Sequence, residues 1–192
     1  ERYAAEAVRF IRDNREGPFF LYFAHMYVHL PLYAPENLVN ASENGDYGAC
    51  VAGVDWVTEV LMHELKKQGL DEDTLVIFTS DNGSRMQDQG GSNGDLRGIK
   101  GTTWEGGLRV PCIMRWPSGM PSGVQCDALI QNTDFVPTWF DIAGAGVPEG
   151  YEMDGVSITP LFKDPEANVR EYVYAEMGAS RAVRTKEWSY MA

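Results

Sequence analysis

The stretch Thr74-Leu-Val-Ile-Phe-Thr-Ser-Asp-Asn-Gly83 restricts the fold more than any other part of the chain. It begins as an apolar run rich in β-branched residues and ends in polar ones. That is how a buried parallel strand reads when it delivers side chains to the carboxyl edge of a sheet. In open α/β folds, ligands gather at that edge. Asp81 and Asn82 there offer hard oxygen donors, the kind that Ca²⁺ or Mg²⁺ prefers. Asp-Asn-Gly is also good turn chemistry, so the residues alone leave a metal site and a plain turn both open.

The flanking segments agree with an α/β chain. Residues 1 to 14 carry Ala5, Val8 and Ile11 at helical spacing among charges, and Gly17-Pro18 stops that helix. Phe19-Phe-Leu-Tyr-Phe-Ala24 is an apolar run of strand length. Pro31 and Pro35 make the next segment a loop, which holds His25 and His29. A histidine in an aromatic loop is more often packed and hydrogen-bonded than catalytic. Residues 46 to 68 give the strongest helix, with Val51, Val54, Val57, Leu61 and Leu65 on one face, Lys66 and Lys67 in the last turn, and Gly69 just beyond. Asp55 reads as structural and His63 as solvent-facing. The predicted topology places residues 18 to 24 and 74 to 80 as parallel strands of one sheet, with residues 47 to 68 as a right-handed crossover.

Residues 83 to 108 show no periodicity, and a loop of that length is usually functional or disordered. The tract Leu96-Arg-Gly-Ile-Lys-Gly-Thr-Thr-Trp-Glu-Gly-Gly107 sets Lys100 among glycines, which permit close backbone approach to a ligand. No GxxxxGK[ST] is present, so this is not a P-loop. Arg97 and Arg109 read equally as salt-bridge partners or substrate contacts, and Glu105 as a support for the glycine-rich turn. Val110 to Trp116 is a further strand, and Thr133-Asp134 caps a helix that Gly144 ends. Short antiparallel strands follow at 171 to 176 and 182 to 190.

A formal charge of −12 excludes the basic patch that a nucleic-acid or anionic-membrane partner would need, so any anion site must be built locally. No apolar run is long enough to span a bilayer. Cys50, Cys112 and Cys126 have neither CxxC nor zinc-finger spacing, and their apolar neighbours predict buried thiols.

Three blocks now combine: Pro18-Phe-Phe-Leu-Tyr22 with His29-Leu-Pro31; Ser80-Asp-Asn-Gly83; and Gly98-Ile-Lys-Gly-Thr-Thr-Trp-Glu-Gly-Gly-Leu-Arg-Val-Pro111. In order and spacing they resemble the sulfatase family of the alkaline-phosphatase-like superfamily. Asp134-Phe-Val-Pro-Thr138 and Asp154-Gly-Val-Ser157 add to the match. Gln89-Gly-Gly-Ser-Asn-Gly94 is similar to the arylsulfatase A and N-acetylgalactosamine-6-sulfatase branch. The resemblance covers nearly the whole chain and corresponds to the C-terminal part of a family member.

The resemblance implies part of a three-layer α/β sandwich with a mostly parallel sheet. Residues 1–146 would be the later part of the catalytic domain, and 147–192 the start of a small antiparallel C-terminal subdomain. It implies Asp81 and Asn82 as Ca²⁺ ligands, Lys100 as the lysine that binds the sulfate, and His29 as the histidine that contacts the ester and aids the leaving group. These four are expected to converge on one cleft. The implied partner is a sulfate ester, an aryl sulfate or a sulfated sugar, and the implied compartment is secreted, periplasmic or lysosomal. The family attacks sulfur with a formylglycine made in a C-x-P-S-R-like motif, and none of the three cysteines stands in one. The early Asp-Asp ligand pair is absent too. The expectation is therefore a C-terminal piece that is inactive alone, its nucleophile and remaining ligands lying upstream. The alternatives are a non-catalytic module that keeps the frame, and a phosphate or phosphonate ester hydrolase, which the Lys-Gly-Thr-Thr-x-Glu-Gly-Gly block disfavours. A sheet face bearing Leu75, Ile77 and Phe20 is expected to lie uncovered, so that the chain is either a portion of a longer protein or a homo-oligomer that buries the gap against itself.

Overall fold

The computed structural model describes residues 1–85 and 90–192. Gln89, the first residue of the branch-specific tract, lies outside the described residues. The chain divides into two compact units. The first holds Glu1–Thr74 and, among the described residues, 90–92; the second holds Leu75–Arg85 and Asn93–Ala192.

The first unit is helical. Helices α1 (Arg2–Asp13), α2 (Glu36–Ala41) and α3 (Gly45–Lys67) follow in order. On α1 the buried residues are Ala4, Ala7 and Ile11, a narrow stripe at helical spacing, so small side chains let α1 lie close on α3. On α3 the buried face is Ala49, Cys50, Gly53, Val57, Glu64 and Leu65. Glu64 reaches that face because Arg12 clamps it from α1, with Nε and Nη2 donating to its two oxygens at 2.7 and 2.8 Å. Helix α3 stops as its sequence predicts. Gly69 takes φ +71°, and the Leu70 amide donates back to the Leu65 carbonyl at 2.9 Å. His63 is exposed, as expected.

Residues 18–24 depart from expectation, because no strand forms there among the described residues. The run nevertheless keeps the side-chain order of a strand. Phe19, Leu21 and Phe23 are half-buried, while Phe20, Tyr22 and Ala24 are exposed. A strand needs a hydrogen-bonded neighbour as well as the right alternation, and only the alternation is written in the run itself.

The second unit contains β1 (Val76–Thr79), α4 (Glu105–Leu108), β2 (Cys112–Arg115), α5 (Phe135–Ala143), β3 (Val173–Met177), β4 (Ser180–Arg184) and β5 (Ser189–Met191). The strand expected over 74–80 is present but shorter, and its partner is β2. That pairing is antiparallel, with Ile77 opposite Met114 and Phe78 opposite Ile113. Strands β3, β4 and β5 form the antiparallel sheet expected near the C-terminus. Every ladder among the described residues is antiparallel, so the expected parallel sheet is not found in them. The apolar run showed that β1 is buried on one side, which is equally compatible with an antiparallel neighbour.

Alternation also corrects the uncovered face. Leu75 and Ile77 pack with Met114 and Trp116 against a buried cluster of Phe135, Ile158, Leu161 and Phe162. Their neighbours Phe78 and Ile113 point the other way, 40% and 63% exposed. Phe20 is exposed as expected.

Asp134 ties this unit together. Its carboxylate is fully buried and accepts from the Gln131 and Val156 amides, each at 2.8 Å, and from Arg170. Thr138 donates to the Asp134 carbonyl at 2.6 Å and accepts from the Ile158 amide at 3.0 Å. Gly155 passes so close to Thr133 that an added Cβ would stand 2.0 Å from its carbonyl oxygen. The two blocks Asp134–Thr138 and Asp154–Ser157 therefore act as one structural clamp.

Candidate active site

The glycine-rich tract folds because its glycines let backbone touch backbone. An added Cβ on Gly83 would lie 1.8 Å from the Gly106 carbonyl oxygen, and one on Gly106 would lie 2.3 Å from that of Gly98. No side chain can fill those places, so the loop after β1 and the tract 96–107 lie in direct contact. Hydrogen bonds fix the register. The Gly83 amide donates to Gly107 at 3.1 Å, and the Lys100 amide donates to Ser84 at 3.1 Å. Asn93 fastens both loops with one side chain. Its Oδ1 accepts from the Ser84 amide at 2.8 Å, and its Nδ2 donates to the carbonyls of Ser84 and Gly98 at 3.1 and 3.0 Å. Asn93 had no role of its own in the sequence reading; the signal was an amide in a tract with few other side chains to satisfy backbone groups.

Lys100 sits at the tip of a turn within this frame. The Thr102 amide donates to Ile99 at 3.1 Å, and Gly101 takes φ +85°. That is a type II turn with Lys100 at its first corner and glycine at the corner that requires positive φ. The Thr102 hydroxyl donates to the Ile99 carbonyl at 2.7 Å and closes the turn further. Among the described residues the Lys100 ammonium has no carboxylate partner. The cations around it are committed. The Arg97 guanidinium lies over the Trp104 ring at 3.6 Å, and Arg109 stands 3.9 Å from Glu105. Glu105 sits at the start of α4 between Arg109 and Arg184, which supports its reading as a structural residue.

Asp81 and Asn82 follow β1 in the same unit. The Ser80 hydroxyl donates to the Asn82 carbonyl at 2.9 Å and shapes that loop. Asp81 is exposed and Asn82 half-buried. Adjacent in the chain, they carry a carboxylate and an amide oxygen, donors of the kind that Ca²⁺ prefers. The ion takes roughly six to eight oxygens. No group of three or more His, Cys, Asp or Glu gathers as a metal site among the described residues. Asp81 and Asn82 would thus form one side of a coordination shell.

His29 lies in the first unit, on the proline-interrupted loop, and is exposed. Its Nδ1 stands 2.8 Å from the Leu30 carbonyl oxygen. A carbonyl only accepts, so Nδ1 carries a proton and Nε2 is the atom free to take or give one. His25 is set differently. Its Nδ1 accepts from the Tyr27 amide at 3.0 Å, it lies between the Phe23 and Tyr27 rings, and burial holds its imidazole below the ordinary value. That is the packed histidine expected of an aromatic loop. Of the cysteines only Cys50 is buried, which raises its thiol; Cys112 and Cys126 are exposed, against expectation. Cys112 closes the exposed end of β2 and Cys126 sits in the turn region beyond it, so apolar sequence neighbours were a poor guide to burial there.

Comparison with known proteins places these features. Residues 1–145 match the family model described as Sulfatase. Human steryl-sulfatase is 37% identical over 170 residues, covering 85% of this chain and 29% of that protein. Human arylsulfatase A is 35% identical over 177 residues, covering 90% of this chain and 34% of that protein. The crystal structure of the PsFucS1 sulfatase from Pseudoalteromonas sp. superposes with a TM-score of 0.85 at 28% identity, covering 98% of this chain and 43% of that one. The chain thus spans about a third of the length of these curated relatives, in their C-terminal part. A glycine-knit frame around Lys100, the Asp81-Asn82 loop beside it and this match over most of its length lead to one assignment: the chain belongs to the sulfatase family.

Proposed function

We propose that this chain is the charge-stabilising part of a sulfate-ester hydrolase. One observation carries the reading: Lys100, with no carboxylate partner among the described residues, stands on a hydrogen-bonded turn whose backbone is bonded to the loop bearing Asp81 and Asn82. A sulfate ester is an anion whose oxygens gain charge as the ester bond breaks. Fixed cations and donors in a dry site are worth most at that moment. Lys100 supplies a point charge held by its turn. Asp81 and Asn82 would hold Ca²⁺, which when bound acts as a Lewis acid on a sulfate oxygen.

His29 completes the reading. With Nδ1–H given to the Leu30 carbonyl, the protonated ring presents Nε2–H to the oxygen of the departing alcohol. Attack on sulfur requires a nucleophile, and Cys50-Val-Ala-Gly, Cys112-Ile-Met-Arg and Cys126-Asp-Ala-Leu offer no formylglycine context. The nucleophile in this reading comes from another part of the protein, and the chain alone turns over no ester. Substrates would be aryl, steryl or sugar sulfates.

The test is turnover of 4-nitrophenyl sulfate by the protein that contains this chain. Lys100→Ala should lower kcat by about 10²–10³-fold, and His29→Ala should lower it most for esters with poor leaving groups. Turnover unchanged by Lys100→Ala would overturn the proposal. Sulfate binding through Lys100 with no ester turnover would instead identify the non-catalytic module.

A further inference from the structure

The C-terminal sheet grips the lysine loop at two points just beyond Lys100. Thr103 is 5% exposed, and its hydroxyl lies 2.7 Å from that of Ser180. Glu105 Oε2 lies 3.0 Å from Arg184 Nη1, an ion pair without hydrogen-bond alignment. Ser180 and Arg184 are the two ends of β4, the central strand of its sheet. Residues 180, 182 and 184 fall on one face of a strand, and Ala182 between them is buried. One face of β4 therefore lies along Thr103–Glu105. Hydrogen bonds join these holds to the lysine turn. The Gly106 amide donates to the Arg97 carbonyl at 2.8 Å, and the Ile99–Thr102 turn is closed by two further bonds.

We propose that β4 is the positioning element of Lys100, with Arg184 and Ser180 setting where its ammonium stands. This rests on the reading of Lys100 as the residue that meets the sulfate. Neither side chain touches substrate. Arg184 acts through Glu105, and Ser180 acts through Thr103.

A merely structural contact predicts loss of folded protein and an effect indifferent to Lys100. Positioning predicts coupling. In the full protein, Arg184→Ala should lower kcat for 4-nitrophenyl sulfate by about 10–100-fold, as small misplacements of a reacting group do. The same substitution in a Lys100→Ala background should change kcat by less than about three-fold, because its route of action is gone. Arg184→Lys should recover part of the loss, and Ser180→Ala, which disturbs packing least, should show a weaker form of the same coupling. Equal losses in both backgrounds, or no loss with Lys100 present, would overturn the proposal. If Lys100→Ala itself leaves turnover unchanged, the functional reading fails separately. Hydrogen exchange then decides on positioning: Arg184→Ala should speed exchange of the Lys100 amide by about ten-fold or more, leaving the α1 amides unchanged, and unaltered exchange would overturn it.

Discussion

One amide, that of Asn93, satisfies three backbone groups and so holds two loops that have few other side chains between them. Each such bond contributes about 0.5–1.5 kcal/mol net, and orphaned partners cost more. Asn93→Ala should therefore destabilise the protein by about 2–4 kcal/mol in chemical denaturation. Asn93→Asp is the sharper variant. It keeps the acceptor for Ser84 N–H but turns a carboxylate toward the Ser84 and Gly98 carbonyls. Its loss should exceed that of Asn93→Ala at neutral pH and shrink on acidification. Equal stability of the two variants at all pH values would show that the amide is not held as described. At this scale the sequence nominates candidates: Lys100, Asp81, Asn82 and His29 stand out by residue type and block, and the structure bonds the Lys100 turn to the loop that bears Asp81 and Asn82. Asn93 does not stand out, because its partners are backbone atoms far along the chain, and no side-chain pattern records where a carbonyl will point.

The longer helices were legible where the pairing of β1 was not, whereas the short α2 and α4 went unread. The 3.6-residue period and the end signals of α1, α3 and α5 lie within each segment, as with Gly144, which ends α5 at φ +62°. A ladder depends on a distant partner. Nothing in Val76–Thr79 names Cys112–Arg115 or fixes the direction of pairing, so the burial of β1 was foreseen and its antiparallel neighbour was not. The α1–α3 contact also carries a pH prediction. The Arg12 guanidinium, by its hydrogen bonds, holds the Glu64 carboxyl down at about 2, against the ordinary 4.5. A carboxyl depressed on folding stabilises the fold above its unfolded value, and that stabilisation is lost as pH falls through the folded value. Thermal stability should thus decline between about pH 4.5 and 2, with Glu64→Gln flattening that part of the profile. An identical acid limb in Glu64→Gln would remove the pair from the account.

Across the whole molecule, apolar side chains stand in water where a sheet would be covered. Phe78 and Ile113 face each other across β1 and β2, and Phe20 and Tyr22 line the extended run, 60% and 76% exposed. Each large apolar side chain left exposed forgoes roughly 1.5–3 kcal/mol of burial, and paired exposed residues on a short sheet invite a second copy. We propose that the 192-residue chain by itself associates through the outer face of β1 and β2, which bears Phe78 and Ile113. Light scattering at micromolar concentration should show oligomers, and Ile113→Lys should shift them toward monomer. A cooperative monomer for the unsubstituted chain would refute this.

The same molecule carries a slow chemical clock. Asn93 is followed by Gly94, and an asparagine before glycine loses ammonia readily when its side chain is free to be attacked by the next backbone nitrogen. In the folded protein the Asn93 amide is tied to two carbonyls, so the clock is stopped. Heating past the melt releases it. Hydrolysis then leaves a carboxylate that cannot donate to Ser84 or Gly98, and a chain so aged cannot close its loops on cooling. Irreversibility of thermal inactivation should accordingly rise with deamidation at Asn93, which peptide mass mapping of heated samples separates from that at Asn44 and Asn82, the other asparagines that precede glycine. Prompt, complete refolding of chains already converted at Asn93 would show that the frame forgives the change.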